Sequence, residues 1–232
     1  MKKLGSIFNE IISEDLEYAH ATTNGPESDK FEIGAEMNEG SESQVITAYH
    51  GSPQKIAKFS DEFVGGKEAT DQEGPGIYFT TNVNETVGYA SPNGYVYTVE
   101  LRPSKMLSSK MAMNFEYLVP SVTKLIKSSP NWKGIAMGYS DDINEGLQEL
   151  VYQFIGMGQS EKEVFVNLYH EVFKENPRLF VKGMVKLGYD ALYLPAKDGG
   201  GHIVVYNPKI IISSESEVVK KIAEKNSVNF SL

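Results

Sequence analysis

The order of the segments with strand and helix character limits the fold of this chain more than any other feature. Segments with the alternation or continuous apolar run of β-strands occupy residues 45–50, 76–81, 94–103, 190–194 and 202–208. Residues 105–187 have the apolar spacing of helices. Strands, a helical block and further strands lack the regular alternation of a doubly wound fold. The sequence therefore predicts an α+β fold in which a helical insertion separates two groups of strands.

Two stretches of the insertion place apolar residues on one helix face. Ser160 and Glu163 have the spacing of a capping box. The helix face after it consists of Val164, Phe165, Leu168, Tyr169, Val172 and Phe173. The same spacing occurs upstream at Ile143, Leu147, Leu150, Val151 and Phe154. Such faces are usually buried in a core, and we expect both helices to contribute to one.

Composition excludes several classes of protein. The 232 residues contain 22 Lys and Arg against 31 Asp and Glu, a net charge of −9, which favours a protein partner over a nucleic acid. The chain has no cysteine, which excludes disulfides, thiolate metal sites and cysteine nucleophiles. Its apolar runs are far shorter than the roughly 20 residues of a membrane helix, so we expect a soluble protein with no membrane partner.

Residues 1–44 are expected to form an amphipathic helix and a polar linker ahead of the domain. Asn9 and Glu10 interrupt the apolar run that a secretory signal needs. Residues 20–44 are polar, with little periodicity, as in a linker. The spacing of one helix face is instead found at Leu4, Ile7, Phe8, Ile11 and Ile12.

The beginning of the chain also resembles the capsid-targeting peptides of internal head proteins in T-even-like phages. A prohead protease trims those peptides after an Ile/Leu-x-Glu tripeptide, and Ile12-Ser13-Glu14 matches it. The resemblance implies removal of residues 1–14, packaging in a phage head and action in the host cytoplasm. The alternative, which the periodicity alone supports equally, is a helix that packs on its own domain.

Motifs for ions and dinucleotides are incomplete. In DDINEG (141–146), Ile143 stands where a calcium loop needs an oxygen ligand. DGGGH (198–202) lacks the strand–glycine–helix context of a dinucleotide fingerprint, and a turn is expected there. The histidines at 20, 50, 170 and 202 have no metal-ligand spacing. We predict no metal.

Five short motifs follow one another in the order of a known enzyme core: YHGS (49–52), GPGIYF (74–79), TVGYA (86–90), VYTVEL (96–101) and IVVYNP (203–208). Together they resemble the NAD-binding core of the ADP-ribosyltransferase fold. The likeness is to the His-Tyr-Glu branch, which contains the poly(ADP-ribose) polymerases and the ADP-ribosyltransferase domains of phage polyvalent proteins. LGYDALYL (187–194) resembles the phage-type domains in particular.

This resemblance implies a split β-sheet core within a domain of residues 45–215. The likeness covers residues 45–110 and 185–215, and leaves most of the helical insertion 105–187 uncovered. Residues 216–232 are expected to be a C-terminal tail.

The resemblance also implies NAD as the substrate cofactor. His50 would reach the adenosine ribose, Ser52 would lie near it, and the main chain of Gly51 would bind the nicotinamide carboxamide. For each residue alone, a structural role remains open: His50 as a satisfied core histidine and Gly51 as a turn residue.

Two tyrosines would hold the nicotinamide ring. The resemblance implies that Tyr78 and Tyr89 sandwich the ring, with the Thr86 hydroxyl on its carboxamide. Aromatic stacking together with amide hydrogen bonds is a rigid way to recognise a flat polar ring. The alternative for Tyr78 is packing within or across strands.

The last motif departs from the family in one position. Active members have a glutamate at the mouth of the strand that corresponds to 203–208, and His202 stands there in this chain. The implied triad is His50, Tyr78 and His202. A neutral imidazole can accept a hydrogen bond from a ribose hydroxyl, but it lacks the negative charge that stabilises a nearby cation. Asp198 is an alternative source of that charge.

These residues lead to two functional hypotheses. The first is a NAD-dependent mono-ADP-ribosyltransferase that modifies a host macromolecule, a protein rather than a nucleic acid, as a phage effector. Poly(ADP-ribose) synthesis is not expected, because the family relies on the missing glutamate for elongation. The second is a degenerate module that binds NAD, ADP-ribose or a partner protein without chemistry. Hydrolysis of NAD without an acceptor is a third, weaker alternative.

Overall fold

The computed structural model describes residues 44–63, 74–90, 93–111, 113–196 and 200–219. The predicted amphipathic helix, the cleavage after Glu14, nearly all of the linker, Asp198 and most of the C-terminal tail lie outside these residues. The described residues combine one mixed sheet with helices. The predicted α+β class is confirmed.

Seven strands of the described residues form one sheet, in the order β4-β5-β6-β2-β1-β3-β7. The strands are β1 (Ile46–Ser52), β2 (Ile77–Thr80), β3 (Tyr95–Leu101), β4 (Met106–Ser108), β5 (Ala191–Pro195), β6 (Gly201–Val205) and β7 (Ile211–Val218). All neighbouring pairs are antiparallel except β4 and β5, which are parallel.

The sheet opens between β1 and β2. These strands share a single pair of partners, Tyr49 and Thr80, whereas β1 pairs with β3 over the whole stretch from Ile46 to Ser52. Because β1 and β2 are antiparallel, the chain after Tyr49 faces the chain before Thr80, and there the two strands separate. This opening corresponds to the predicted split of the sheet.

Helices cover the sheet and connect its two groups of strands. They are α1 (Val83–Ala90), α2 (Phe115–Ser128), α3 (Trp132–Ala136), α4 (Ile143–Met157), α5 (Glu161–Leu168) and α6 (Pro177–Lys186), and α5 continues into a π turn (Tyr169–Phe173). Among the described residues, no helix has the length and apolarity needed to span a membrane.

The apolar faces predicted for α4 and α5 belong to the core, which they share with the sheet. At the start of α5 the Ser160 hydroxyl accepts a hydrogen bond from Glu163 N at 3.3 Å, as the capping box predicts. The Glu163 carboxylate reaches back to Gln159 N at 2.8 Å. In the rejected calcium motif, Asp142 instead caps α4 by accepting from Asn144 N and Glu145 N.

Two details differ from the sequence prediction. The segment predicted as a helical insertion from residue 105 begins with β4, and its first helix starts at Phe115. Three residues are too few to show the alternation of a strand. The predicted tail from residue 216 begins inside β7, whose interior residues are exposed serines and glutamates with low strand propensity.

Candidate active site

A cavity of about 410 Å³ lies at the opening between β1 and β2. Its wall is built from β1, β2, α1 and the beginning of β6, and six of the predicted site residues line it: His50, Gly51, Tyr78, Thr86, Tyr89 and His202. The volume is in the range of small-molecule sites. The structure thus brings together residues that lie up to 152 positions apart in the sequence.

Ser52 is placed differently from the other predicted residues. It is buried at the end of β1 and is not part of the cavity wall formed by the described residues. Its hydroxyl accepts a hydrogen bond from Gln54 N at 3.2 Å, which stabilises the turn after the strand.

His50 is held in a defined tautomer. Its Nδ1 lies 2.7 Å from the carbonyl oxygen of Tyr78, and because a carbonyl only accepts, Nδ1 carries the proton and Nε2 of the neutral ring is an acceptor. Burial lowers the pKa of His50, against a smaller opposite effect of this hydrogen bond. At neutral pH the ring therefore offers an acceptor to which a ribose hydroxyl can donate.

Aromatic rings support His50 from within the protein. Its ring meets Phe59 edge-on, with centroids 5.4 Å apart, and lies 5.6 Å from Phe79. Phe59 also packs edge-on against Tyr97. His50 thus packs against the core and also lines the cavity.

Gly51 allows α1 to lie close against β1. A β-carbon at this position would overlap the carbonyl oxygen of Thr86, so the glycine is required by helix packing before any ligand is considered.

Thr86 keeps only part of its hydrogen-bonding capacity. Its side chain is buried, and its hydroxyl donates to the Val83 carbonyl at 2.6 Å. With the proton committed, the hydroxyl oxygen can still accept a hydrogen bond. The NH₂ group of a carboxamide is a donor that suits it.

The two tyrosines that line the cavity belong to different elements. Tyr78 extends from β2, and its hydroxyl donates to the Gly74 carbonyl at 2.6 Å, where Gly74 adopts a positive φ of 102°. Tyr89 extends from α1 and is 74% exposed. An aromatic side chain that exposed is not a core residue, so core packing does not account for Tyr89.

His202 contacts a carboxylate that the sequence analysis did not identify. Its Nε2 lies 2.9 Å from Oε2 of Glu85, with the two side chains 50% and 34% exposed. The same oxygen accepts a hydrogen bond from the Thr80 hydroxyl at 2.7 Å. Because a carboxylate only accepts, Nε2 of His202 carries the proton and Nδ1 of the neutral ring is an acceptor.

In the sequence, Glu85 is recognisable only as part of the start of a helix. Asn82 and Glu85 have the spacing of an N-cap residue and the third residue of a helix, and such a pattern indicates where a helix begins. It does not indicate that the carboxylate meets a residue 117 positions away.

The described residues contain no group of three or more His, Cys, Asp or Glu that could hold a metal ion. The absence of a metal in the protein stays a prediction.

The chain is similar to one known family and, distantly, to a solved structure. A family model described as ADP-ribosyltransferase in polyvalent proteins matches residues 40–227. A search of curated proteins finds no match. A structure titled "Crystal structure of an anti-CRISPR protein" aligns with 76% of this chain and 97% of that chain, at 12% identity and a TM-score of 0.37. That TM-score is too low to support a shared fold, whereas the family match includes every cavity residue named above.

Proposed function

Because the chain belongs to the family of ADP-ribosyltransferases in polyvalent proteins, we propose that it is a NAD-dependent mono-ADP-ribosyltransferase acting on a macromolecule of the host cell. One observation carries the proposal. A neutral histidine acceptor, a glycine backbone, a buried threonine acceptor and two tyrosines from different elements line one cavity.

The cavity residues suit NAD as a substrate. Nε2 of His50 would accept from the adenosine ribose, and the Gly51 main chain and the Thr86 hydroxyl would hold the carboxamide. Tyr78 and Tyr89 would hold the nicotinamide ring between them. Fixing a substrate in this way contributes to catalysis by positioning the bond that breaks.

The reaction exchanges one bond for another. The bond between the nicotinamide nitrogen and ribose C1′ breaks, and its electron pair leaves with nicotinamide. An oxygen or nitrogen nucleophile of the acceptor forms the new bond to C1′ and gives up its proton. The positive charge that develops on the ribose in between is best stabilised by fixed negative charge nearby.

We propose a protein as the acceptor. The net charge of −9 opposes a broad contact with phosphate backbones, and single ADP-ribose transfer fits a site with His202 at the position of the elongation glutamate. Action in the host cytoplasm, after packaging in a phage head, belongs to the same proposal. Its support is the resemblance of residues 1–14 to capsid-targeting peptides and the phage association of polyvalent proteins.

A binding module is the second candidate, and His202 is the observation that favours it. A site without a glutamate at this position could bind NAD or ADP-ribose and perform no chemistry.

Incubation with NAD labelled on the adenosine phosphate, together with host lysate, separates the candidates. We expect labelled protein and released nicotinamide, both lost in Tyr89→Ala. Tyr139→Ala is the matched control, since Tyr139 is also an exposed tyrosine (40%) and is not part of the cavity wall. NAD binding without labelled protein or released nicotinamide would reject the transferase and support the binding module. Label in nucleic acid would overturn the protein acceptor.

A further inference from the structure

We propose that Glu85 is the positioning residue for His202, and that this pair supplies the negative charge and the proton acceptor of the transfer reaction. The inference rests on the proposed function. Glu85 is the one acidic residue among the described residues that line the cavity.

The geometry fixes the carboxylate. Oε2 of Glu85 accepts from the Thr80 hydroxyl at 2.7 Å and lies 2.9 Å from Nε2 of His202. These three side chains come from β2, α1 and β6, and Thr80 is also the register partner of His202. A carboxylate held from two adjacent strands keeps its charge in one place, as stabilisation of a developing cation requires.

The pairing determines what His202 can do. With its Nε2 proton held by Glu85, the ring presents the Nδ1 lone pair as a base. The proton of the acceptor nucleophile passes to Nδ1 as the nucleophile bonds to ribose C1′, and the resulting imidazolium is balanced by the Glu85 carboxylate. Such a base oriented by a carboxylate is a general arrangement in nucleophilic catalysis.

A purely structural explanation can be compared, because another helix among the described residues begins in the same way. Glu145 is the third residue of α4, as Glu85 is of α1. Its Oε2 accepts from the Ser140 hydroxyl at 3.3 Å. In both cases the hydroxyl lies five positions upstream. Glu145 is exposed and is not part of the cavity wall. The helix start accounts for a carboxylate at this position, but not for its contact with an imidazole in a cavity.

Four purified proteins test the proposal: wild type, Glu85→Gln, Glu145→Gln and the double variant Glu85→Gln/His202→Glu. NAD binding is measured by calorimetry and folding as Tm. Nicotinamide release is measured as kcat and KM for NAD in the presence of host lysate, which supplies the acceptor. In Glu85→Gln we expect kcat to fall about 100-fold, the size of effect seen when one electrostatic group is removed from a site, with KM changed less than about threefold. Glu145→Gln should keep the wild-type kcat.

The double variant distinguishes the proposed role of Glu85 from a purely structural one, because a new carboxylate at position 202 would not restore kcat if Glu85 were only structural. It returns a carboxylate to the cavity at position 202, and kcat should recover to within about tenfold of wild type. If the wild type is active and Glu85→Gln matches Glu145→Gln, the inference is wrong and the proposed function stands. The inference is equally wrong if Glu85→Gln is impaired but His202→Glu restores nothing. A wild type that neither binds nor consumes NAD overturns both.

Discussion

Gly51→Ala should destabilise the protein and move one wall of the cavity. The added methyl group would overlap the carbonyl oxygen of Thr86, and the next nearest atoms are also backbone: Thr86 C at 3.0 Å and Ala90 N at 3.1 Å. Backbone cannot rotate away as a flexible side chain can, so α1 must shift from β1. Forced overpacking of this kind costs about 1–3 kcal/mol.

Gly88→Ala on the same helix is the matched control. No heavy atom lies within 4 Å of a β-carbon built at Gly88, and alanine in a helix interior is more stable than glycine by about 0.5–1 kcal/mol. The two glycine-to-alanine changes should therefore have opposite signs. Because Glu85 and Tyr89 lie on α1, only the change at Gly51 should also weaken NAD binding.

Urea unfolding at pH 7.5 measures both free energies, and calorimetry measures NAD binding. For a domain of this size, 1 kcal/mol corresponds to a Tm change of about 2–4 °C, so thermal unfolding checks the same values. Wild-type stability and wild-type NAD affinity in Gly51→Ala would refute the close contact between α1 and β1, and with it the geometry of the cavity.

Two further predictions concern buried ionisable groups. Burial lowers the pKa of His50 below its usual 6.5, so the unfolded chain binds the proton more tightly than the folded protein. The free energy of unfolding should therefore fall as the pH is lowered from about 7.5 to 5.5. Urea titrations at several pH values should show a flatter dependence for His50→Gln. Burial alone would raise the pKa of Asp190, but hydrogen bonds from Ser104 and Asn207 hold it below its usual value. Its carboxylate accepts hydrogen bonds from Ser104 N at 2.8 Å, the Ser104 hydroxyl at 2.6 Å and Asn207 Nδ2 at 2.8 Å. Asp190→Ala should therefore destabilise the protein by about 3 kcal/mol. A Tm equal to that of the exposed control Glu100→Ala would contradict this prediction.

Local sequence patterns predicted those parts of the fold whose stabilising interactions lie within a single helix or strand. The capping box at Ser160 and the apolar face after it are satisfied within one helix, so they can be recognised without knowing the rest of the fold. β6 was recognisable because a strand buried on both faces has a continuous apolar run. β7 could not be recognised in this way, since its serines and glutamates become a strand only by pairing with β3.

The candidate site was predictable where the family motif names its residues, and unpredictable where distant elements meet. The motifs named His50, Tyr78 and Tyr89, which line one cavity in the structure. Glu85 was missed because its contact with His202 depends on how α1 and β6 are arranged around the cavity. Ser52 has the expected position in the motif, but it is not among the described residues that line the cavity, and its hydroxyl accepts a hydrogen bond from Gln54 N.

The parallel pairing of β4 with β5 has an evolutionary consequence. The helical excursion begins after β4, the edge strand of the sheet, and the chain returns to the sheet at β5, which pairs with β4. Because the two strands are parallel, the chain leaves at the end of β4 and must return to the beginning of β5, so the helical excursion crosses back over the length of these short strands. Selection could therefore vary the exposed loops of this excursion, whereas its buried helix faces are tied to the sheet through the core that they share.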